Sequence, residues 1–154
     1  MNQVLKHALW TVPAIVLAGF ASGWLANSGY GNPWFDGLAK PWFMPPGWLF
    51  PVVWTTLYVL MGLSLALLIQ ARARVALILF AIQLALNLAW TPLFFGAHQA
   101  YPGLLLIVVL DVVVLATIAA AWAARRLAAL LLLPYPVWLA LATALNFEIV
   151  RLNP

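Results

Sequence analysis

The chain has 154 residues, of which 67% are hydrophobic and 6% are charged, and its mean hydropathy is +1.06. A soluble domain has about 25% charged residues, so the composition excludes an ordinary water-soluble fold and indicates an integral membrane protein. Seven lysines and arginines stand against three acidic residues, but they are scattered, which argues against nucleic-acid binding. The chain has no cysteine and its histidines, His7 and His98, lie far apart, so neither thiolate chemistry nor a metal site is expected.

Five long apolar runs follow one another along the chain with short gaps between most of them. About 20 apolar residues are needed to cross the ~30 Å hydrocarbon core of a bilayer, and each run is long enough. The sequence therefore predicts an all-α membrane protein, a single five-helix domain over residues 1–154. The predicted helices cover residues 5–26, 47–70, 75–95, 103–124 and 127–150.

The distribution of cations predicts how the bundle is oriented. One side of the predicted membrane would carry Lys6, Arg72, Arg74, Arg125 and Arg126. The other side would carry only Lys40 and Arg151. The positive-inside rule then favours a cytoplasmic N-terminus, with the long first loop facing outward. Because that rule describes insertion into an inner membrane, an outer-membrane location stays open.

The third run carries a polar face. Gln83, Asn87 and Thr91 recur every four residues, with Trp90 beside them, so they share one side of a helix. Amides facing lipid are costly. We therefore expect this face to point into the bundle or into a cavity.

A stripe of small residues, Ala81, Ala85 and Ala89, lies on another face of the same run. Small residues at this spacing let a second helix approach closely. We expect a homodimer through this face, and the alternative is close packing against a neighbouring helix of the same chain.

Two tryptophans lie deeper than tryptophan usually does in a membrane. Trp54 and Trp138 fall inside predicted helices, whereas tryptophan normally prefers the interface, and a buried indole N–H needs a partner. Pro51 and the Pro134–Pro136 pair are expected to distort their helices and to widen the space between them. The first loop contains the rigid aromatic segment KPWFMPPGW at 40–48, and we interpret it as a lid over a cavity.

Asp111 lies in the middle of the fourth run, within VVLDVVV. An intramembrane carboxylate is a functional candidate by default, and here it could couple protons to transport. The alternative is a structural hydrogen bond to a neighbouring helix.

Three segments of the chain are distinctive: WFDGLAKPWFMPPGWLFPVVW (34–54), QLALNLAWTPLFFG (83–96) and LPYPVWLALATALNF (133–147). In this order they resemble the first loop with the second helix, the third helix and the fifth helix of one known family. That family is the TspO/translocator proteins, also called tryptophan-rich sensory proteins or peripheral-type benzodiazepine receptors.

The resemblance implies a membrane protein that binds porphyrins such as protoporphyrin IX or haem-type tetrapyrroles, in a sensory, regulatory or transport role. No cofactor is implied beyond porphyrin as a ligand. The ligand-binding positions that it implies are Trp34, Phe35, Trp42, Pro45, Trp54, Asn87, Trp90, Trp138, Ala142 and Leu145. The propionates of a porphyrin could reach Lys40 or Arg151 as charge-assisted pairs.

The chain departs from animal members of that family near its C-terminus. Phe147 stands where the sterol motif of animal members has tyrosine, and the motif is weak in any case, which lowers the expectation of sterol binding. Animal members also continue with a charged tail, whereas this chain stops at Pro154. We therefore expect a bacterial-type protein in the cell membrane, surrounded by lipid.

Two other functions remain open. Trp54 and Trp138 match tryptophans tied to light-dependent porphyrin degradation in bacterial relatives, so a photo-oxidative activity is one alternative. A small-molecule transporter is the other. No catalytic triad, carboxylate pair or metal cluster is visible in the sequence, so an enzyme is not favoured.

Overall fold

The computed structural model describes residues 1–154 and contains helices without any strand. The helices are α1 (Gln3–Leu25), α2 (Pro33–Asp36), α3 (Leu49–Gln70), α4 (Arg74–Thr91), α5 (Ala100–Ala124), α6 (Arg126–Leu132) and α7 (Pro134–Leu152). A π-helical turn, Pro92–Gly96, continues α4. Five units are long and apolar enough to span a membrane: α1, α3, α4 with the π turn, α5, and α6 with α7. The predicted all-α five-helix membrane bundle is confirmed.

Prolines set the limits of several helices. Pro134 is the first residue of α7 and separates it from α6, because proline lacks the N–H that would continue α6 but fits the first helical position. Pro51, in contrast, lies in the first turn of α3. The N–H groups of a first turn have no intrahelical partners, so Pro51 removes no hydrogen bond from its helix. The expectation that Pro51 distorts this helix is therefore wrong.

The helices touch closely in the half of the bundle farther from the first loop, which we call the closed half. Thr11 Oγ1 donates a hydrogen bond of 2.7 Å to the Gly62 carbonyl, joining α1 to α3. A Cβ atom at Gly62 would lie 2.5 Å from Val12 Cα, so only glycine fits there. Ser64 Oγ donates to the Ala128 carbonyl at 2.9 Å, joining α3 to α6. Small residues thus let these three helices approach one another closely.

The first loop is fastened to the bundle at Asn32, which is buried. Its side-chain oxygen accepts from the N–H groups of Trp34 and Phe35, which caps the short α2. Its Nδ2 group donates to the carbonyls of Asn27 and Phe95 at 3.0 and 3.2 Å. One side chain therefore shapes the loop and ties it to the π turn.

A second fastening joins the loop to the end of α7. Asn153 Oδ1 accepts from the Ala39 N–H at 2.9 Å, and Asn153 Nδ2 donates to the Ala39 carbonyl at 2.9 Å. The same Nδ2 group also donates to the Ile149 carbonyl at 2.8 Å. The loop is thereby held against the bundle from both ends of α2.

Candidate functional site

A cavity of about 580 Å³ lies beneath the first loop, and we call it the loop-side cavity. Small-molecule sites typically enclose about 300–1,000 Å³, so the cavity has the size of such a site. Its walls come from α1, the first loop, α3, α4, the π turn, α5 and α7, and they include no charged side chain. It is a neutral, mainly apolar space in the loop-side half of the bundle.

A hydrogen-bonded cluster of three buried side chains lies beside the cavity. The Tyr58 hydroxyl donates to Asn87 Oδ1 at 3.1 Å, and Asn87 Nδ2 donates to the Tyr135 hydroxyl at 2.6 Å. Tyr58 and Asn87 line the cavity, whereas Tyr135 lies behind them. Because the two tyrosines fix the orientation of the amide, Asn87 is held in one rotamer. This cluster connects α3, α4 and α7 at the cavity wall.

Trp90 forms a second fixed wall of the cavity. Its Nε1–H is shared between the Gly103 carbonyl, at 3.1 Å, and Asn146 Oδ1, at 3.2 Å. Asn146 Nδ2 in turn donates to the Ala100 carbonyl at 2.9 Å. The indole stacks on Phe94, with ring centroids 4.8 Å apart and 16° between the ring planes. These contacts hold a flat aromatic face in place along α4.

The two deep tryptophans both line the cavity. Trp54 stacks on Tyr58 with centroids 5.4 Å apart, and Trp138 meets Phe50 edge to face at 5.6 Å. Trp138 Nε1 is buried and has no hydrogen-bond partner in the protein. A buried donor without an acceptor is costly. The site therefore contains one N–H group that a ligand acceptor could satisfy.

The inward-facing prediction for α4 agrees with the structure, with one difference of detail. Gln83 and Asn87 are buried and Thr91 is half-buried. Asn87 and Thr91 line the cavity, whereas Gln83 does not. Both polar atoms of the Gln83 amide lack a partner in the protein.

The structure brings most of the sequence-predicted ligand positions to one cavity. The residues that line it are Phe35, Trp54, Asn87, Trp90, Trp138, Ala142 and Leu145. Trp34, Trp42 and Pro45 lie outside the lining. Trp34 stacks on His98 with centroids 4.8 Å apart, and Trp42 is 95% exposed. A role in ligand binding remains a prediction for every member of this set.

Sequence reasoning missed several residues of the site. Tyr135 was not predicted as part of the site. The available signal was its hydroxyl group within an apolar span, which needs a polar partner such as Asn87. Phe94, Phe95 and Tyr30 also line the cavity. The run of aromatic residues after Pro92 was the available signal for the first two, but no sequence pattern shows which way a loop residue such as Tyr30 points.

Lys40 and Arg151, the two cations expected to pair with porphyrin propionates, already have partners within the protein. Lys40 Nζ donates to the carbonyls of Phe35 and Leu38, at 2.7 and 3.1 Å. Arg151 pairs with Glu148 through both Nε and Nη2. Neither cation lines the cavity, so the expected pairing of these cations with propionates is not favoured.

Asp111 lies on the seam between α5 and α7. It is half-buried and accepts a hydrogen bond from Thr143 Oγ1 at 2.8 Å. It does not line the loop-side cavity. This geometry matches the alternative of a structural contact between neighbouring helices.

The alanine stripe on α4 is not covered by this chain. Ala81, Ala85 and Ala89 are all exposed on the outside of the bundle. Packing against a neighbouring helix of the same chain is therefore not what occupies this face.

Comparison with known proteins assigns the chain to a family. The sequence profile of the TspO/MBR family matches residues 11–152. Protein CrtK of Rhodobacter capsulatus is 44% identical over 126 residues, which cover 79% of both chains. Tryptophan-rich sensory protein of Cereibacter sphaeroides is 43% identical over 79% of this chain and 78% of its own, and human translocator protein is 41% identical over 81% and 78%. With five membrane-spanning helices around one cavity, the chain is an integral multi-pass membrane protein that belongs to the TspO/MBR family.

Proposed function

We propose that this protein binds porphyrins and similar flat, apolar molecules in the loop-side cavity. The observation that carries the proposal is the cavity itself, about 580 Å³ and lined by Trp54, Trp90 and Trp138 without a charged group. Flat aromatic ligands gain from stacking or edge contacts with such rings, beyond the burial of apolar area. The unpartnered Trp138 Nε1 would orient a ligand that offers an acceptor.

The names of the relatives suggest the biological role that ligand binding would serve. One relative is called a tryptophan-rich sensory protein and others are called translocator proteins. We therefore propose a sensory, regulatory or transport role in a bacterial cell membrane, with the N-terminus in the cytoplasm. Because Asp111 lies outside the cavity and bonds to Thr143, proton-coupled transport through Asp111 has no support from the geometry.

The test is a titration with protoporphyrin IX in the dark, followed by porphyrin absorbance, on detergent-purified protein. Trp138→Phe removes the indole N–H and part of the cavity wall, so Kd should rise about tenfold, corresponding to roughly 1.4 kcal/mol. Trp122→Phe is the matched control, because Trp122 is exposed on α5 and does not line the cavity. Binding without saturation would mean that porphyrin only partitions into the micelle, and saturable binding with equal affinities for both variants would place the site away from Trp138.

Photo-oxidative degradation of bound porphyrin is a second candidate, favoured by one observation. Trp54 and Trp138 line the same cavity, so both indoles would lie near a bound ring. Under light and oxygen, porphyrin absorbance would then decay in the wild-type protein and persist in Trp54→Phe with binding intact. Equal decay in both proteins would exclude this activity.

We also propose a homodimer through the alanine stripe of α4. The stripe is exposed and its small side chains allow a close helix approach. Ala85→Trp should shift the protein towards monomer in sedimentation experiments, whereas Ala119→Trp on the exposed surface of α5 should not. A monomeric wild type would contradict this interface.

A further inference from the structure

The exposed part of the cavity wall lies on one side only. The lining residues that are exposed are Phe20, Trp24, Asn27, Ser28, Tyr30, Gly47 and Pro51. All of them belong to the end of α1, the start of the first loop, or the beginning of α3 with the residues just before it. No lining residue of α4, α5 or α7 is exposed. The cavity therefore opens on one side of the bundle, where the end of α1, the adjoining loop residues and the beginning of α3 meet.

The gap between α1 and α3 is closed in the closed half of the bundle and open in the loop-side half. In the closed half the two helices touch through Thr11, Val12 and Gly62. At Gly19 they still touch, since an added Cβ would overlap the Tyr58 ring. One turn later, the nearest atom to such a Cβ at Gly23 is the Ser28 hydroxyl of the loop, and no atom of α3 lies within contact distance. The two helices thus separate towards the loop side.

Contacts between the first loop and the ends of α4 and α7 close the path beneath the loop. Asn153 forms hydrogen bonds with both the backbone N–H and the backbone carbonyl of Ala39, and Asn32 donates to the Phe95 carbonyl. Phe35 is buried and packs edge to face on Phe94 and Phe95. A ligand that entered between the first loop and the ends of α4 and α7 would have to break these contacts, whereas the opening beside α1 and α3 needs no such change.

The opening lies on the loop-side half of the bundle, within reach of the headgroup level. At about 1.5 Å per residue, Phe20 and Thr55 lie roughly 8–9 Å below the loop-side ends of α1 and α3. Because helices of 22 and 23 residues are only a little longer than the ~30 Å hydrocarbon core, this depth falls in the outer part of the acyl-chain region. Because no charged side chain lines the cavity, an ionised carboxylate would be buried there without a partner, which is strongly unfavourable.

We propose that ligands enter the loop-side cavity from the bilayer through the gap between α1 and α3, and that the cavity takes only their uncharged part. For a dicarboxylic tetrapyrrole, the ring would slide in edge first while the carboxylates stay at headgroup level. This inference rests on the proposed binding function and specifies its route and its ligand class. The first loop then covers the cavity as a fixed roof, and the gap between α1 and α3 is the ligand entrance.

The route can be tested by placing a bulky group in the gap. The chain has no cysteine, so one introduced thiol can be labelled selectively. Thr55→Cys places the thiol in the cavity wall on α3, and Val112→Cys places it on the exposed surface of α5, away from the cavity. Full-length protein in phosphatidylcholine vesicles is labelled with a bulky maleimide, and protoporphyrin IX association and dissociation are followed by fluorescence.

A label in the gap should slow both association and dissociation by about tenfold or more, while the label on Val112→Cys should change neither. Asn153→Ala, which loosens the roof, should leave both rates unchanged. A label that only fills the cavity would leave dissociation as fast or faster, and that result would overturn the proposal. Faster association in Asn153→Ala with unchanged rates in labelled Thr55→Cys would place the route under the first loop instead.

Ligand charge gives an independent test. Protoporphyrin IX dimethyl ester, which carries no carboxylate, should bind at least as tightly as the diacid. Clearly weaker binding of the ester would show that a cation recognises the carboxylates, and the proposal of an uncharged site would be wrong. Absence of saturable binding by unmodified protein would instead refute the proposed function itself, whereas saturable binding at rates insensitive to the Thr55 label refutes only the lateral route.

Discussion

The two halves of the bundle are both apolar, yet the helices touch closely in one half and enclose a cavity in the other. In the closed half the contacts between helices are made by small residues such as Gly62, Ser64 and Ala128. In the loop-side half, α3 and α4 carry indole and phenol rings, including Trp54 and Trp90. Small side chains let helix backbones meet, while large rigid rings hold them apart. The small residues at the contacts between α1, α3 and α6, rather than a difference in hydrophobicity, distinguish the half that has no ligand cavity.

The largest expected effect comes from breaking the closed half at Gly62. Gly62→Val would drive a side chain into the Val12 backbone, which lies 2.5 Å from the position of an added Cβ. Overpacking typically costs about 1–3 kcal/mol, and a backbone obstacle places this change at about 3 kcal/mol or more. SDS titration of the detergent-solubilised protein should show the loss of stability. Gly37→Ala is the control, because its nearest neighbours are 3.5 Å away or more, and an equal loss there would contradict the interpretation.

A smaller loss of stability is expected from the polar cluster of the loop-side half. Asn87→Ala leaves the buried hydroxyls of Tyr58 and Tyr135 without their partner. Orphaned buried groups cost about 1–3 kcal/mol, so the free energy of unfolding should fall by that amount. Thr56→Val should change it little, since the exposed Thr56 hydroxyl bonds only to the Val52 carbonyl of its own helix. If Asn87→Ala is as stable as wild type, the cluster does not hold α3, α4 and α7 together.

Loosening the first loop, which forms the roof of the cavity, should leave the closed half unaffected. Asn153→Ala removes the two hydrogen bonds to Ala39, worth about 1 kcal/mol together. Amide hydrogen exchange at Ala39 should quicken about fivefold, while exchange in α6 stays unchanged. Asn153→Asp keeps an acceptor for the Ala39 N–H and should give an intermediate rate. Equal acceleration throughout the bundle would show that the two halves do not behave independently.

The smallest effect is expected at the exposed ion pair of α7. Glu148→Gln weakens the contact with Arg151, but surface pairs contribute only about 0–1 kcal/mol. The SDS midpoint should stay within error of wild type, and porphyrin affinity should not change because neither residue lines the cavity. A marked loss of porphyrin affinity would instead indicate that Arg151 contacts the ligand.

Composition and helical period were sufficient for the fold. Apolar length gave five membrane-spanning units, and a four-residue spacing placed Gln83, Asn87 and Thr91 on the inward face of α4. Those signals are local, because each depends on residues within one helix. The break before Pro134 was also visible in the sequence, although the same reasoning applied to Pro51 failed because it ignored the position of a proline within its helix.

The details of the site depended on contacts that sequence spacing cannot show. Lys40 turned back onto the carbonyls of its own loop, and Trp42 faces outward, because loop conformation determines both. The partnership of Asn87 with Tyr135 joins residues that are 48 positions apart. Long-range pairings of this kind require the packing of the whole bundle, which no single helix specifies.

Filling the cavity tests the central claim most directly. Ala142 lines the loop-side cavity, whereas Ala144, two residues along on the same helix, is exposed on the outside. Ala142→Trp should abolish saturable protoporphyrin IX binding while the helical content stays native, and Ala144→Trp should bind as wild type does. Undiminished binding in Ala142→Trp would place the ligand outside the cavity and contradict the account.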